Sequence, residues 1–73
     1  MDKRNFYFKK SRDEIELVVE NVLFEEAFGY MKDVLTMKGI KPPYYRVWGE
    51  NPKWIDFGSY TQFFVWGELQ WLR

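Results

Sequence analysis

The chain has 73 residues with eleven basic and eleven acidic side chains, and it contains neither cysteine nor histidine. This length predicts one domain that buries only about 60% of the surface its unfolded chain exposes. The missing residue types exclude disulfides, thiolate chemistry, zinc sites built on Cys or His and the usual general base near neutral pH. The balanced charge gives no overall field that would recruit nucleic acid or an anionic membrane.

Aromatic residues are unusually frequent: the chain has seven Phe, five Tyr and four Trp. Each ring buries about 150–250 Å², so the core can be built largely from rings, and those that one helix cannot cover must face a partner. There is no run of 18 apolar residues, and the first residues lead into a strand pattern and not into a signal-peptide core. We therefore expect a cytoplasmic protein without cofactor or metal.

The first two predicted elements form a β-hairpin. Residues 5–10 are rich in aromatics and end in charge, which is typical of a strand, and residues 11–14 are polar enough for a turn. Residues 15–20 then alternate with period two. This alternation places three apolar residues on one face, namely Ile15, Leu17 and Val19.

An amphipathic helix follows after Asn21. Its apolar stripe has helical spacing and consists of Phe24, Ala27, Phe28, Met31, Val34 and Leu35. Gly39 is placed to adopt the left-handed conformation just beyond the helix, with Ile40 closing over Leu35. Pro42-Pro43 prevent the helix from continuing.

The remaining chain returns to strand character at residues 44–48, 53–57 and 63–66, with turns at 49–52 and 58–61. The order β-β-α-β-β-β predicts an α+β fold in which a single helix packs on one face of one antiparallel sheet. The sequence Val-Trp-Gly-Glu occurs at residues 47–50 and again at 65–68, which indicates two strands that end in similar turns. The apolar pair in the tail, Trp71 and Leu72, suggests that the tail docks on the domain.

Period two also divides the predicted sheet into two faces. The face under the helix is predicted to carry Ile15, Leu17, Val19, Tyr45, Val47, Ile55, Phe57, Phe63 and Val65. The opposite face is predicted to carry Val18 and seven partner-binding residues: Tyr44, Arg46, Trp48, Trp54, Asp56, Phe64 and Trp66. Trp, Tyr and Arg dominate the centres of protein interfaces, and Arg46 and Asp56 could pair there. Alternatively, the tail buries these rings, and a register error of one residue would exchange the faces.

A single-stranded nucleic-acid-binding function is the alternative, because aromatics on an open sheet can stack unpaired bases. That function also needs cations beside the rings, and the predicted opposite face offers only Arg46. The other basic residues near the amino terminus could form a phosphate-contacting arm or an ordinary solvated terminus; they are Lys3, Arg4, Lys9, Lys10 and Arg12. Nucleic acid is therefore the less favoured partner.

Catalysis would have to use carboxylates: Asp13, Glu14, Glu25, Glu26, Asp33 and Asp56. No motif joins these positions, and a chain of this length offers no deep pocket. The glycines at turns form neither a phosphate-cradling loop nor a dinucleotide fingerprint. We therefore expect no catalytic residues, and the chain is predicted not to be an enzyme.

Residues 41–48, followed by residues 54–59 and Phe63-Phe64, resemble small accessory proteins encoded by phages and mobile elements of Gram-positive bacteria. The likeness covers about a third of the chain. It implies a protein in an infected bacterial cell that binds and blocks a host enzyme or defence complex. The sequence thus predicts a non-enzymatic protein–protein interaction module, either a homodimer or an inhibitor.

Overall fold

The computed structural model describes residues 2–11 and 13–68. These residues form five strands and one helix in the order β-β-α-β-β-β, which confirms the predicted α+β fold. The strands are β1 (Arg4–Lys9), β2 (Ile15–Val22), β3 (Arg46–Trp48), β4 (Lys53–Asp56) and β5 (Phe63–Trp66), and the helix is α1 (Phe24–Met37). All neighbouring strands pair antiparallel, and their order across the sheet is β2-β1-β5-β4-β3.

Helix α1 begins and ends as its sequence predicts. At its start the Glu26 carboxylate accepts a 2.9 Å hydrogen bond from the Leu23 N–H, one of the amides that a helix terminus leaves without an internal partner. At its end Gly39 has φ +70°, and the Ile40 N–H donates a 2.9 Å hydrogen bond to the Leu35 carbonyl. This is the Schellman closure that the sequence predicts. Within residues 2–11 and 13–68, no helix is long and apolar enough to cross a membrane.

Stacked aromatic rings form the core between α1 and the sheet. The Phe64 ring lies 5.4 Å from that of Phe6 and 4.7 Å from that of Phe8, and all three side chains are completely buried. The apolar stripe of α1 covers these rings with Ala27, Met31 and Leu35, which are buried as well. The two central strands, β1 and β5, therefore supply the floor of the core.

The predicted faces of β5 are wrong, and the true arrangement is the reverse. Phe64 and Trp66 pair with Phe8 and Phe6 of β1 and belong to the core under α1. Phe63 and Val65 consequently lie on the opposite face of the sheet. Strand β5 is central and apolar at all four positions, so the period-two pattern gave no information on which residues face the helix.

The predicted faces of β2 are also wrong over part of the strand. Phe6 lies opposite Val19 but the next residue of β1, Tyr7, lies opposite Leu17, so β2 contains an extra residue at this point. This bulge lets both Val18 and Val19 pack against the core. Leu17 shares the opposite face with Tyr7 and is half exposed.

Candidate functional site at the β3 edge

Strand β3 forms one border of the sheet. Within the described residues it pairs with β4 on one side and has no strand on its other side. An edge strand directs the N–H and C=O groups of alternate residues outward, where another extended chain can pair with them. We call residues 44–48 the β3 edge, because they form this border together with the approach to it.

The β3 edge exposes four large apolar side chains in succession around one arginine. Between 40% and 47% of each of these residues remains accessible, and they are Tyr44, Tyr45, Val47 and Trp48. Single exposed apolar residues are ordinary on a protein surface, but a contiguous group of them marks an interaction site. The β3 edge therefore has both the free backbone groups and the apolar surface that a protein partner requires.

The turn between β3 and β4 depends on a glycine. Gly49 has φ +80°, and a Cβ atom at this position would lie 2.8 Å from the Pro52 carbonyl oxygen and 3.3 Å from the Trp54 ring. A side chain is therefore excluded by both the backbone angle and the available space. Gly67 approaches the same turn, because its Cβ would lie 2.9 Å from the Pro52 Cα atom. The repeated Val-Trp-Gly-Glu sequence thus ends β3 and β5 against one shared turn.

Three aromatic rings form a row on the sheet face away from α1. The row begins at the β3 edge and ends near the centre of the sheet. Trp48 and Trp54 occupy paired positions, and their rings stack at 4.9 Å with an angle of 7° between the planes. Trp54 in turn contacts Phe63 edge-on at 5.8 Å. Such contacts between aromatic rings stabilise the arrangement beyond their burial. They fix the Trp48 ring at the outer end of the row, where about half of the residue is exposed.

Arg46 and Asp56 form the ion pair suggested by the sequence. They occupy paired positions on β3 and β4, and the Arg46 guanidinium donates a 2.6 Å hydrogen bond to the Asp56 carboxylate. The second carboxylate oxygen accepts a 2.8 Å hydrogen bond from the Gly58 N–H. The hydrogen bond from Arg46, and then that from Gly58, lower the pKa of Asp56, and Asp56 raises the pKa of Arg46. Asp56 is buried, whereas the Arg46 side chain is 66% exposed and available to a partner.

The structure separates the seven predicted partner-binding residues into two groups. Tyr44, Arg46 and Trp48 lie at the β3 edge, and Trp54 and Asp56 support them from β4. Phe64 and Trp66 lie in the core, so their predicted placement on the opposite face is wrong. Trp66 is further fixed by a 2.9 Å hydrogen bond from its indole N–H to the Val22 carbonyl.

Two residues of the β3 edge, Tyr45 and Val47, were predicted to be covered by the helix. The Tyr45 ring does contact Phe28 of α1 at 6.2 Å, but it stays 40% exposed, and Val47 is 42% exposed. A helix is about 10–12 Å wide with its side chains, whereas five strands spaced about 4.8 Å apart extend over about 19 Å. One helix therefore leaves part of its own sheet face uncovered. The predicted count of one helix and five strands already indicated that the helix cannot cover the whole face. The strand order was needed to show that β3 is the strand left uncovered.

Three of the basic residues near the amino terminus, Arg4, Lys9 and Lys10, are held by contacts within the chain. Arg4 pairs with Asp2 at 2.6 Å, donates to the Glu50 carbonyl and lies 4.2 Å above the Trp66 ring. Lys9 donates to the Ser11 carbonyl, and Lys10 lies 3.7 Å from the Glu16 carboxylate. These contacts weaken the case for a phosphate-binding arm. Arg12 lies outside the described residues.

The predicted catalytic candidates do not converge. Glu14 accepts from the Ser11 hydroxyl, Glu26 caps the helix and Asp56 is paired with Arg46. Among residues 2–11 and 13–68, no group of three or more acidic side chains could hold a metal ion. The expectation that the chain is not an enzyme stays a prediction. The predicted docking of Trp71 and Leu72 lies outside the described residues.

The β3 edge thus combines an accessible strand border, exposed rings and an orienting cation on one short hairpin. Comparisons with protein-family models, with curated proteins and with solved structures found no match to this chain.

Proposed function

We propose that this chain is a protein–protein interaction module that binds its partner through the β3 edge. The observation that carries the proposal is the run of exposed apolar side chains on a strand border that pairs on one side only within the described residues. Exposed apolar surface on an edge strand favours association with another extended chain. The function therefore follows from the surface and does not require a catalytic group.

The side chains and the backbone of the β3 edge make different kinds of contact with the partner. Trp48 supplies an apolar anchor whose ring is already held against Trp54 at 4.9 Å, so little side-chain freedom is lost when a partner covers it. Arg46 is oriented by Asp56 and supplies a directional polar contact. The backbone of β3 supplies hydrogen bonds that do not depend on the partner's sequence, as in other cases of strand addition.

A protein partner fits this surface better than a single-stranded nucleic acid. Arg46 is the cation at the exposed end of the row of rings, and its charge is already compensated by Asp56. Lys9 lies beside Phe63 at the other end and donates to the Ser11 carbonyl. Of the basic residues near the amino terminus, Arg4 and Lys10 are paired with acidic side chains. Binding to a phosphate backbone relies on free cations, whereas binding to a strand relies on backbone groups and apolar contacts.

The resemblance of residues 41–48, 54–59 and Phe63-Phe64 to phage accessory proteins implies a host enzyme or defence complex as the partner. In that case the chain acts as an inhibitor in the cytoplasm of a bacterial cell. Both the identity of the partner and the location stay predictions. The surface chemistry requires only that the partner presents an extended segment with apolar side chains.

Site-specific photo-crosslinking tests the proposal. A benzophenone amino acid replaces Trp48 in one variant and Met37 in the control, because Met37 is also exposed but belongs to α1. We expect a protein adduct from position 48 that is absent from position 37. Excess wild-type chain should suppress the adduct, whereas the Val47→Lys chain should compete about 30-fold less well, which corresponds to about 2 kcal/mol of binding.

Two results would overturn the proposal. The first is crosslinking from position 48 that does not exceed the crosslinking from position 37. The second is an adduct that nuclease treatment removes and that weakens steeply with salt, since these are properties of nucleic-acid binding.

A further inference from the structure

The chemistry of the β3 edge makes it complementary to itself. Antiparallel strands related by a two-fold axis present the same residues to each other in reverse order. Because the edge carries exposed apolar residues on both sides of one cation, a second copy supplies both an apolar surface and an aromatic ring for that cation. This inference rests on the proposed function and names the partner.

Only a few registers are compatible with a continuous sheet. When the two-fold axis is perpendicular to the sheet, side chains that meet must lie on the same face, so the axis must pass through one residue of β3. The axis can therefore be centred on Arg46, on Val47 or on Trp48. Each register brings the central residue opposite its own copy.

The register centred on Arg46 opposes two like charges, which is unfavourable for paired residues on adjacent strands. The register centred on Trp48 pairs Val47 with Gly49, whose φ of +80° has already left the extended conformation. It leaves few backbone groups to pair. The register centred on Trp48 therefore uses only part of β3, and the register centred on Arg46 uses all of it only with the two cations opposed.

The register centred on Val47 avoids both problems. It places Val47 against Val47 of the second copy on the helix face, where 42% of the residue is exposed. On the opposite face it places each Arg46 against Trp48 of the other copy. One face of the Trp48 ring stacks on Trp54, so the other is available to the guanidinium in a cation–π contact.

We propose that two copies of this chain pair through β3, antiparallel and centred on Val47, to form a continuous ten-stranded sheet from their two five-stranded sheets. The short strand makes this a weak dimer that forms with rising concentration. The two Arg46–Asp56 pairs stay intact and flank the axis, because the Arg46 side chain is 66% exposed and can reach the partner copy while it keeps its hydrogen bond to Asp56. Within its own chain the guanidinium also lies 5.6 Å from the Tyr44 ring.

Single-cysteine variants test the register directly, because the chain has no cysteine of its own. In the proposed dimer only Val47 lies opposite itself among the three residues of β3, at a separation that a disulfide can span. We expect Val47→Cys to form a disulfide-linked dimer at least about tenfold faster than Met37→Cys, which reports random collision. Arg46→Cys and Trp48→Cys should form dimers no faster than this control.

The solution mass of the cysteine-free chain provides the second measurement. Sedimentation equilibrium from micromolar to millimolar concentration should show the mass of the wild-type chain rising toward twofold. Val47→Lys should remain at the monomer mass, because a charge on an edge strand opposes pairing. Val47→Thr keeps the branched shape without a charge and should retain the rise.

The possible outcomes separate this inference from the proposed function. A mass that stays at the monomer value, or Val47→Cys crosslinking no faster than Met37→Cys, overturns the self-pairing. Faster crosslinking of Arg46→Cys or Trp48→Cys overturns the register. A monomer that still gives a protein adduct from position 48 overturns only the self-pairing, whereas a monomer without any such adduct overturns the proposed function as well.

Discussion

The two borders of the sheet are built in opposite ways. Strand β2 is eight residues long and irregular, with two breaks in its pairing with β1. Strand β3 is three residues long, and its pairing with β4 is regular. A long edge strand would be the greater hazard for unwanted pairing, and here the long edge is the irregular one.

The side chains of the two borders differ in the same sense. Strand β2 exposes Glu16, Glu20 and Asn21, and Asn21 has φ +56°, which interrupts the extended backbone. Strand β3 exposes Val47 and Trp48 around a compensated cation. Bulges and charges are the means by which proteins prevent association at an edge. The irregular pairing of β2, its acidic side chains and the regular pairing of β3 favour β3 over β2 as the border for the proposed pairing, although β2 also exposes Leu17 and β3 carries Arg46.

The largest effect should come from the core on which both borders rest. Phe64→Ala removes a ring that stacks on Phe6 and Phe8, and we expect it to lower the free energy of unfolding by about 3–5 kcal/mol. Trp48→Ala should cost about 1 kcal/mol, because that ring is half exposed. Urea denaturation measures both values. Equal losses for the two variants would contradict the assignment of Phe64 to the core and Trp48 to the edge.

A smaller effect should come from the turn that holds β3 in place. Gly49→Ala introduces a Cβ 2.8 Å from the Pro52 carbonyl oxygen at a backbone angle that disfavours alanine. We expect a loss of about 2–3 kcal/mol in unfolding free energy. Gly39→Ala is the matched control, because Gly39 has φ +70° but no atom within 4 Å of its Cβ position. That variant should lose only about 1–2 kcal/mol. A loss at Gly39 as large as that at Gly49 would show that the turn imposes no steric requirement.

The Arg46–Asp56 ion pair between β3 and β4 should contribute less to the free energy of unfolding at acidic pH. The lowered pKa of Asp56 means that its ion pair contributes stability above the ordinary carboxyl pKa of about 3.9 and loses this contribution as the pH falls through the lower folded value. The Asp56→Asn variant lacks this ion-pair contribution at every pH. The difference in unfolding free energy between wild type and this variant should therefore narrow below about pH 4. Urea denaturation at neutral and acidic pH measures this difference. Asp33→Asn, on the exposed side of α1, serves as the control. If the difference in unfolding free energy between wild type and Asp56→Asn stays constant with pH, protonation of Asp56 does not cause the loss of stability in acid.

Local patterns predicted the elements whose two sides differ in polarity. The apolar residues of α1 recur at helical spacing with charged residues between them. Gly39 ends the helix because glycine readily adopts a positive φ. In β4, the polar Asp56 next to the apolar Ile55 was enough to assign the faces correctly. These features depend on neighbouring residues only, so the sequence contains the information directly.

Long-range pairing determined what the sequence could not predict. Strand β5 inserts between β1 and β4, and its residues are buried or half-buried on both faces, so no polar residue marks its orientation. The bulge in β2 arises from its pairing with β1 and reverses the pattern that Leu17 and Val18 suggested. The candidate site was predicted in part, since Arg46, Trp48 and Trp54 were identified. Tyr45 and Val47 were assigned to the buried face because the strand order that exposes them was unknown.

The smallest effect is expected at the β2 border, where removing a charge should change nothing. Glu20→Thr gives this strand a neutral residue of high strand propensity, but the two irregularities in its pairing remain and continue to prevent a partner strand from aligning. Sedimentation equilibrium should therefore give Glu20→Thr the same mass as the wild-type chain at every concentration. The same variant combined with Val47→Lys should stay monomeric. An increase in the mass of the double variant would show that Glu20, and not the bulged backbone, keeps β2 from associating.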